Sequence, residues 1–379
     1  MHHIQYGKQN IDSNDIRAVA GILKSDFLTQ GPAVKRFEED LARFTGAKYA
    51  VAVNNGTAAL HLAYLAAGLK NGDEVITTPN TFVATANMLL AIGAKPVFCD
   101  IRKDTYNIDE KKIERLITKK TKAIVPVHFS GQPCEMGAIL KIAKKHKLKV
   151  IEDGAHALGA KYKNKYVGSL KSDATCFSFH PVKPITTGEG GAITTNDEEI
   201  YEKLLSLRSH GVSKNKDGFN VMKDLGFNYR LTDFQCALGL SQLKRLNNFI
   251  AKRKEIAGWY SEGLKDLEEI CLPEEDKSAK SGWHLYVILL KKGSRNQLAE
   301  FLKQNNVFAN FHYPPVYSHP YYRKNGYART SLPVMEDYFS RCLTLPIHTK
   351  LAKKDIKYII SIIKKFYESS RHNNRTGRK

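Results

Sequence analysis

Apolar residues occur in short, almost unbroken runs through the first half of the chain. These runs span residues 50–53, 74–78, 96–99, 123–127, 149–152, 174–179 and 192–195. Helical patterns separate most of them, and buried strands that alternate with helices are typical of a parallel sheet covered on both faces. The pattern therefore predicts an α/β fold whose large domain holds a mostly parallel, seven-stranded sheet.

Helical patterns also flank this run of strands. Two helices are predicted before the first strand, over 13–25 and 34–45, after an extended N-terminal arm. An amphipathic stretch from 233 to about 267 follows the last strand and can link two lobes. We therefore predict a large domain over residues 1–240, which includes the arm, and a smaller C-terminal domain over 241–370.

The smaller domain is also predicted to be α/β. Its elements are a strand over 284–290, a helix over 295–304, a strand over 307–311 and a final helix over 353–366. The last residues, 371–379, are polar and basic. They lack an apolar pattern, so a disordered tail is predicted there.

The chain is strongly basic, with 59 lysines and arginines against 38 aspartates and glutamates and a formal net charge of +21. Nucleic acid, a membrane surface or an anionic small molecule would each suit this charge. The basic residues are scattered over predicted helix faces, without an aromatic-interleaved stripe, which disfavours nucleic acid. We expect an anionic small molecule as the partner.

The chain shows no signal for a membrane or for secretion. No apolar run approaches the ~18 residues of a membrane span, and the polar N-terminus does not resemble a signal peptide. Six cysteines without a Cys-x-x-Cys pair are typical of buried thiols in a reducing compartment, so no metal site is predicted. We expect a cytoplasmic protein.

The most informative stretch is a polar turn between two apolar strands. It contains Lys183, which lies between Pro181 and Pro184. The fixed φ angles of the prolines stiffen the turn and present the amine inward. A partly desolvated lysine has a lowered pKa and can form a Schiff base with a carbonyl cofactor. The plain alternative is a solvated loop lysine.

A second turn carries the features of an anion site. Small residues around Gly56 and Thr57 follow a strand and begin an alanine-rich helix, which directs free backbone N–H groups to one place. Ser178 ends the strand before the lysine turn, and its hydroxyl can reach a phosphate bound at this second turn. An ordinary capping turn and a satisfied strand serine are the alternatives.

Two carboxylates follow a buried strand at the edge of the sheet where ligands of α/β proteins gather. Strand alternation turns Glu152 to the opposite side, so Asp153 is the better candidate to pair with a protonated pyridine nitrogen. Phe82 follows another strand and could stack on a flat ring. A core aromatic is an equally good interpretation of Phe82.

A proline-stiffened turn follows the strand predicted in the smaller domain. Its polar aromatic residues are His312, Tyr313 and Tyr317. They could offer hydrogen bonds and a stacking face to a sugar or a uracil. An equally good interpretation is a rigid surface turn with one or two tyrosines packed beneath it.

Six segments together resemble one family. They are Gly-Thr-Ala-Ala-Leu at 56–60, Thr-Phe-Val-Ala-Thr-Ala-Asn at 81–87, Glu-Asp-Gly-Ala-His-Ala at 152–157, Ser-Phe-His-Pro-Val-Lys at 178–183, Gly-Glu-Gly-Gly at 188–191 and Asn-Tyr-Arg-Leu-Thr-Asp at 228–233. These are similar to the motifs of the pyridoxal-phosphate-dependent nucleotide-sugar aminotransferases, the DegT/DnrJ/EryC1/StrS family. The resemblance covers nearly the whole chain.

The resemblance implies an aspartate-aminotransferase-like fold of type I and a homodimer with shared active sites. It makes Lys183 the residue that carries pyridoxal 5'-phosphate, with pyridoxamine 5'-phosphate as the form midway through the reaction. It places Asp153 on the pyridine nitrogen, Phe82 on the ring face and His156 near the phenolic oxygen.

The resemblance also names residues for the phosphate and for the substrate. Gly56, Thr57 and Ser178 would hold the phosphate together with Asn228 of the partner subunit. Relatives place the N-terminal arm over the nucleotide-sugar. The substrate-binding candidates are Tyr6, Asp26, Phe27, Leu28, Thr29, His180, Arg230, His312, Tyr313 and Tyr317.

Within the family, residues 25–32 and 180–187 resemble the branch of pseudaminic acid biosynthesis. That branch transfers the amino group of L-glutamate to C4 of a UDP-linked 4-keto-6-deoxy-2-acetamido-L-hexose. Another NDP-4-keto-6-deoxy sugar, of perosamine or bacillosamine type, is the main alternative. A sugar dehydratase of the same cofactor class, which lacks the active-site lysine, and a basic nucleic-acid-binding protein are weaker ones.

Overall fold

A computed structural model describes the backbone of residues 3–376 and the side chains of residues 3–369. Its strands are β1 (Tyr49–Val53), β2 (Glu74–Thr77), β3 (Lys95–Phe98), β4 (Thr121–Val125), β5 (Lys149–Asp153), β6 (Lys161–Tyr162), β7 (Lys165–Tyr166), β8 (Ala174–Ser178), β9 (Gly191–Thr195), β10 (Val212–Lys214), β11 (Asn220–Met222), β12 (Ile270–Cys271), β13 (Ala279–Lys280), β14 (Tyr286–Leu290) and β15 (Cys342–Leu345). Its helices are α1 (Ser13–Leu23), α2 (Pro32–Thr45), α3 (Gly56–Ala66), α4 (Ala84–Ala91), α5 (Glu110–Ile113), α6 (Met136–His146), α7 (Glu198–Arg208), α8 (Asp233–Leu243), α9 (Leu246–Leu264), α10 (Arg295–Gln304), α11 (Pro320–Tyr322), α12 (Pro333–Arg341) and α13 (Lys353–Thr376).

The large sheet has seven strands in the order β1-β9-β8-β5-β4-β2-β3. β9 runs antiparallel to both of its neighbours, β1 and β8, and the other pairs are parallel. The predicted mostly parallel, seven-stranded sheet is therefore confirmed. The carboxyl ends of β2, β4, β5 and β8 meet at one edge, where α/β sheets bind their ligands.

Both faces of this sheet are covered, because successive strand residues point to opposite sides. Val51 packs with Leu62 of α3 and Leu204 of α7, whereas its neighbour Ala52 packs with Phe37 of α2. All five are fully buried. Burial of a side chain as large as leucine contributes about 1.5–3 kcal/mol, so these two apolar clusters fix the strands that carry the site.

The smaller lobe is built on the antiparallel sheet β12-β14-β15. The strand predicted over 307–311 does not form. That run forms only two isolated β-bridges. Val307 pairs with Ile4 of the N-terminal arm, and Asn310 pairs with Thr344. The partners of β14 are instead β12 and β15, and neither was predicted from the sequence.

Two helical predictions need correction. The stretch 233–267 is two helices, because the chain turns between α8 and α9 at Lys244 and Arg245. The last helix continues to Thr376, into the segment for which a disordered tail was predicted, and residues 377–379 of that tail lie outside the described residues. Within residues 3–376, no helix is both long and apolar enough to cross a membrane.

The N-terminal arm, which was placed with the large domain, crosses to the smaller lobe. The Ile4 amide donates to the Asn306 carbonyl at 2.9 Å, and the Ile347 amide donates to the Tyr6 carbonyl at 3.0 Å. These backbone bonds hold Tyr6 over the ends of the parallel strands, beside residues that line the main cavity.

Candidate active site

A cavity of about 820 Å³ lies at the carboxyl ends of the parallel strands, between the large sheet and the smaller lobe. The lining residues that the sequence reading had singled out are Tyr6, Gly56, Thr57, Phe82, Asp153, His156, Ser178, His180, Lys183, His312 and Tyr313. Residues as far apart in sequence as Tyr6 and Tyr313 therefore share one cavity.

The remaining candidates lie outside this cavity. The loop 26–29 is exposed and is tied to the start of α8 by a hydrogen bond from the Asp233 amide to the Leu28 carbonyl, at 2.9 Å. Asn228 forms an isolated backbone β-bridge with Ser209, and Arg230 forms one with Val53. None of these residues contributes to the cavity formed by this single chain.

Tyr317 also lies elsewhere. Its hydroxyl donates to the Glu336 carboxylate at 3.0 Å, and its ring packs 6.0 Å from the ring of Phe98. The interpretation of a rigid turn with a tyrosine packed beneath it therefore fits Tyr317. His312 and Tyr313, from the same turn, do line the cavity.

Lys183 is held by the turn between β8 and β9. Its amide donates to the His180 carbonyl at 2.9 Å, and the Thr186 hydroxyl closes the turn on the Phe179 carbonyl at 2.9 Å. Burial lowers the pKa of the Lys183 amine to about 8, although the negative charge of Asp153 acts in the opposite direction. A large share of this amine is therefore neutral near pH 8 and available as a nucleophile or base.

Asp153 ends β5 with its carboxylate directed toward the cavity. One oxygen accepts from the Thr85 hydroxyl at 2.7 Å, and the other accepts from the Ala155 amide at 3.1 Å. Glu152 points the other way and bonds to His128 Nε2 at 2.6 Å. Strand alternation thus leaves Asp153 as the carboxylate at the cavity, in the position that suits a cationic ring nitrogen.

An anion cradle lies at the start of α3. Asn55 caps this helix by accepting from the Ala58 amide at 2.8 Å, and the first N–H groups of a helix have no partner within it. A Cβ added at Gly56 would lie 2.9 Å from Ser178 Cβ, so glycine keeps the space open. Backbone donors, the Thr57 side chain and the Ser178 hydroxyl therefore converge on a place for a phosphate.

Phe82 is 59% exposed, which excludes the core interpretation. It lines the cavity at the start of α4, and its ring lies 6.4 Å from that of Tyr313. An aromatic side chain that is free on one face can cover a flat ligand ring.

Buried imidazoles line the wall beside Lys183. His156 Nε2 lies 3.2 Å from the Tyr313 hydroxyl, while His156 Nδ1 is buried without a partner. Burial and the Lys183 charge lower the pKa of His156 well below its usual value and that of His312 to about 3. These imidazoles are neutral hydrogen-bonding groups, and His156 Nδ1 is free for a ligand.

The cavity residues that were not predicted from the sequence include Thr85, His284 and Asn310. Thr85 lies within the motif 81–87 but carried no separate signal, because its partner Asp153 comes from another strand. His284 and Asn310 enter the cavity from the smaller lobe. Only the tertiary structure brings the two lobes together, so no local pattern marks these two residues.

The residues fit pyridoxal phosphate feature by feature. Lys183 suits its aldehyde, Asp153 its ring nitrogen, and the cradle at Gly56 its phosphate. Phe82 offers an aromatic face, and the unpartnered His156 Nδ1 offers a group for the phenolic oxygen.

Comparisons with known proteins identify similar sequences and structures. A transaminase of UDP-4-amino-4,6-dideoxy-N-acetyl-beta-L-altrosamine from Campylobacter jejuni is 42% identical over 94% of this chain and 95% of its own. The solved structure of Helicobacter pylori PseC, an aminotransferase in the biosynthesis of pseudoaminic acid, is 39% identical, has a TM-score of 0.93 and covers 97% of this chain and 100% of its own. The PLP-form of Spr1654 from Streptococcus pneumoniae is 31% identical, with a TM-score of 0.92, over 97% and 99% of the two chains.

The model of one family also matches the chain over residues 9–364. This match includes Lys183, Asp153, Phe82 and the cradle at Gly56, and it extends through both lobes. The chain is a member of the DegT/DnrJ/EryC1/StrS aminotransferase family.

Proposed function

We propose that this chain is a pyridoxal-phosphate-dependent transaminase of the cytoplasm. It transfers the amino group of L-glutamate to C4 of a UDP-linked 4-keto-6-deoxy-2-acetamido-L-hexose. The observation that carries the chemistry is the meeting of Lys183, Asp153 and the anion cradle in one cavity. The sugar is inferred from the names of relatives about 40% identical along most of the chain.

Lys183 is the residue that moves the proton. The cofactor, when bound, supplies the electron sink for the carbanion that forms at Cα of the amino donor. The Lys183 amine, whose pKa burial lowers to about 8, would accept at Nζ the proton that leaves Cα of the amino donor and would deliver it to the C4′ carbon of the cofactor in the same half-reaction. The second half-reaction uses the same group in the reverse direction on the keto-sugar.

Asp153 and its neighbours would hold the ligand in a fixed position relative to the Lys183 amine. The Asp153 carboxylate keeps a proton on the ring nitrogen, and Thr85 fixes the carboxylate by the 2.7 Å hydrogen bond. The cradle at Gly56 and Ser178 would hold the phosphate, and Phe82 and Tyr313, which line the same cavity, would shield the ring from water. Fixed positions of this kind lower the barrier because the reacting atoms are already aligned.

We infer a homodimer in which Asn228 of the partner subunit completes the phosphate site. The hairpin β10–β11 and the loop after it expose Phe219, Met222 and Leu225 at 70%, 63% and 75%. Contiguous exposed apolar side chains are typical of an interface. This surface precedes position 228 directly, so a second copy that covers it would bring the two sites close together.

Absorbance spectroscopy tests the proposal. Purified protein reconstituted with pyridoxal phosphate should change its visible spectrum on addition of L-glutamate and recover it on addition of the UDP-linked 4-keto-hexose. A TDP-linked 4-keto-6-deoxy sugar and buffer serve as parallel arms. Recovery with the TDP-sugar alone would assign another nucleotide-sugar, and no response to glutamate or other amino acids would overturn the transaminase.

A further inference from the structure

One buried cation has no role in the chemistry described so far. Arg253 lies on α9 and is 3% exposed. No ion pair to it is found within the side chains that the structure describes, and burial lowers its pKa to about 10. An unpaired buried cation is costly unless its hydrogen bonds are well satisfied, so its contacts need an explanation.

The guanidinium of Arg253 binds main-chain carbonyls from three separate segments. It donates to the Ile347 carbonyl at 2.9 Å, to the His284 carbonyl at 3.2 Å and to the carbonyls of Trp283 and Val182 at 3.4 Å. A planar group with five N–H donors is suited to such branching, whereas an ammonium group is not.

Each of these segments either carries a residue of the cavity or holds one in place. Val182 immediately precedes Lys183 in the turn between β8 and β9. His284 lines the cavity itself. The Ile347 amide donates to the Tyr6 carbonyl, so this third segment holds the arm that places Tyr6 at the cavity.

We propose that Arg253 is a positioning residue for Lys183: by clamping the lysine turn to the smaller lobe, it sets the direction of the amine and keeps water from it. The inference rests on the proposed role of Lys183. A looser turn would admit water to the amine and misplace it by a fraction of an ångström, and displacements near 1 Å can cost about 100-fold in rate.

The first test uses the apoprotein and requires no activity. Competitive acetylation followed by peptide mass spectrometry gives the pH at which Lys183 is half-deprotonated. In Arg253→Lys, which keeps the charge but loses the branched donor group, that midpoint should rise by at least about half a pH unit, because better hydration favours the charged amine. An unchanged midpoint would overturn the proposal.

Arg295→Lys is the matched control. Arg295 is half-buried, less so than Arg253, and also donates to main-chain carbonyls, those of Phe339 and Cys342, but it does not touch the lysine turn. Its variant should leave the Lys183 midpoint unchanged even if thermal stability falls. An equal rise in both variants would mean that general loosening, and not the clamp, exposes the amine.

The second test uses the reconstituted enzyme. Arg253→Lys should slow the glutamate and keto-sugar half-reactions by a similar factor, about 10- to 100-fold, with little change in either KM, because Lys183 serves both. A change in one KM alone would assign Arg253 to a substrate. Failure of the transaminase proposal would show instead in the wild-type spectrum, so the two failures are distinguishable.

Discussion

The hydroxyl of Thr85 donates to the carboxylate of Asp153 across 2.7 Å, which links α4 to the end of β5. Thr81 lies 2.7 Å from the same hydroxyl and supplies it with a further hydrogen bond. The carboxylate is therefore fixed by a short chain of hydroxyl groups that its own strand does not provide.

Replacement of Thr85 by valine should slow the glutamate half-reaction by about 10- to 150-fold, since a hydrogen bond to a charged group contributes about 1.5–3 kcal/mol. Thr85→Ser should retain most of the rate. Thr45→Val is the control, because the Thr45 hydroxyl bonds only to carbonyls of its own helix. Single-turnover absorbance measures all three variants, and equal rates in Thr85→Val and wild type would contradict the role of Thr85.

Lys183→Ala should lose the covalent link to the cofactor and at least about 10³-fold of activity, because nucleophile and base disappear together. Mass spectrometry after borohydride reduction detects the link, and steady-state assays measure the rate. Turnover within tenfold of the wild type would refute the assignment.

The pH dependence of cofactor uptake is a separate prediction. Burial lowers the Lys183 pKa to about 8, so the neutral, reactive amine is scarce below that pH and abundant above it. The rate at which apoprotein takes up pyridoxal phosphate should rise through pH 8 and then level off. A rise centred near the ordinary lysine value would show that the amine is hydrated.

Asp153→Ala should be nearly as damaging as loss of the lysine, because the ring nitrogen loses the charge that keeps it protonated. Asp153→Asn preserves a hydrogen-bonding oxygen for Thr85 and isolates the effect of charge. Both variants should show a much slower half-reaction with glutamate. An unchanged rate in a folded Asp153→Ala protein would exclude the role given to this carboxylate.

Mixed dimers test whether active sites are shared. Lys183→Ala and Asn228→Ala chains should each be impaired alone. A heterodimer of the two has one doubly damaged site and one intact site, so mixing should restore part of the activity. If subunit exchange is demonstrated by mass spectrometry and activity does not return, Asn228 serves its own subunit.

Tyr6→Phe and Tyr313→Phe should differ in which half-reaction they affect. Tyr6 belongs to the arm over the cavity, and loss of its hydroxyl should raise the KM for the keto-sugar about 10-fold while the glutamate half-reaction is unaffected. Tyr313 bonds to His156, so its variant should slow both halves. Equal losses in both halves for Tyr6→Phe would assign the arm to the cofactor or the fold.

The large sheet was predictable because its strands are buried on both faces and carry their signal in local sequence. The same holds for Asp153, which ends such a strand, and for Phe82 and Lys183, which lie in the segments that follow such strands. The run 307–311 misled because its apolar residues pack against the N-terminal arm without forming a ladder. The pattern of apolar residues in one segment indicates that the segment is buried, but it does not indicate which other segment it packs against.

Residues whose surroundings come from distant segments could not be assigned from sequence. Thr85 is important because it donates a hydrogen bond to Asp153. His284 and Asn310 reach the cavity only because the smaller lobe packs against the large sheet. Tyr317 resembled Tyr313 in its turn, yet its hydroxyl is satisfied by Glu336 in a separate cluster. Two tyrosines of the same turn thus lie in different surroundings: Tyr313 lines the cavity, and Tyr317 does not.

The attachment of the N-terminal arm bears on how the chain folds during synthesis. The side chain of Asn10 donates to the Thr349 hydroxyl, 339 positions away along the sequence, and Ile4 pairs with residues beyond position 305. Contacts of such long separation close large loops and form late. The N-terminal arm would therefore remain unpaired until the segment beyond position 305 has been made, so the cavity would gain Tyr6 late in folding.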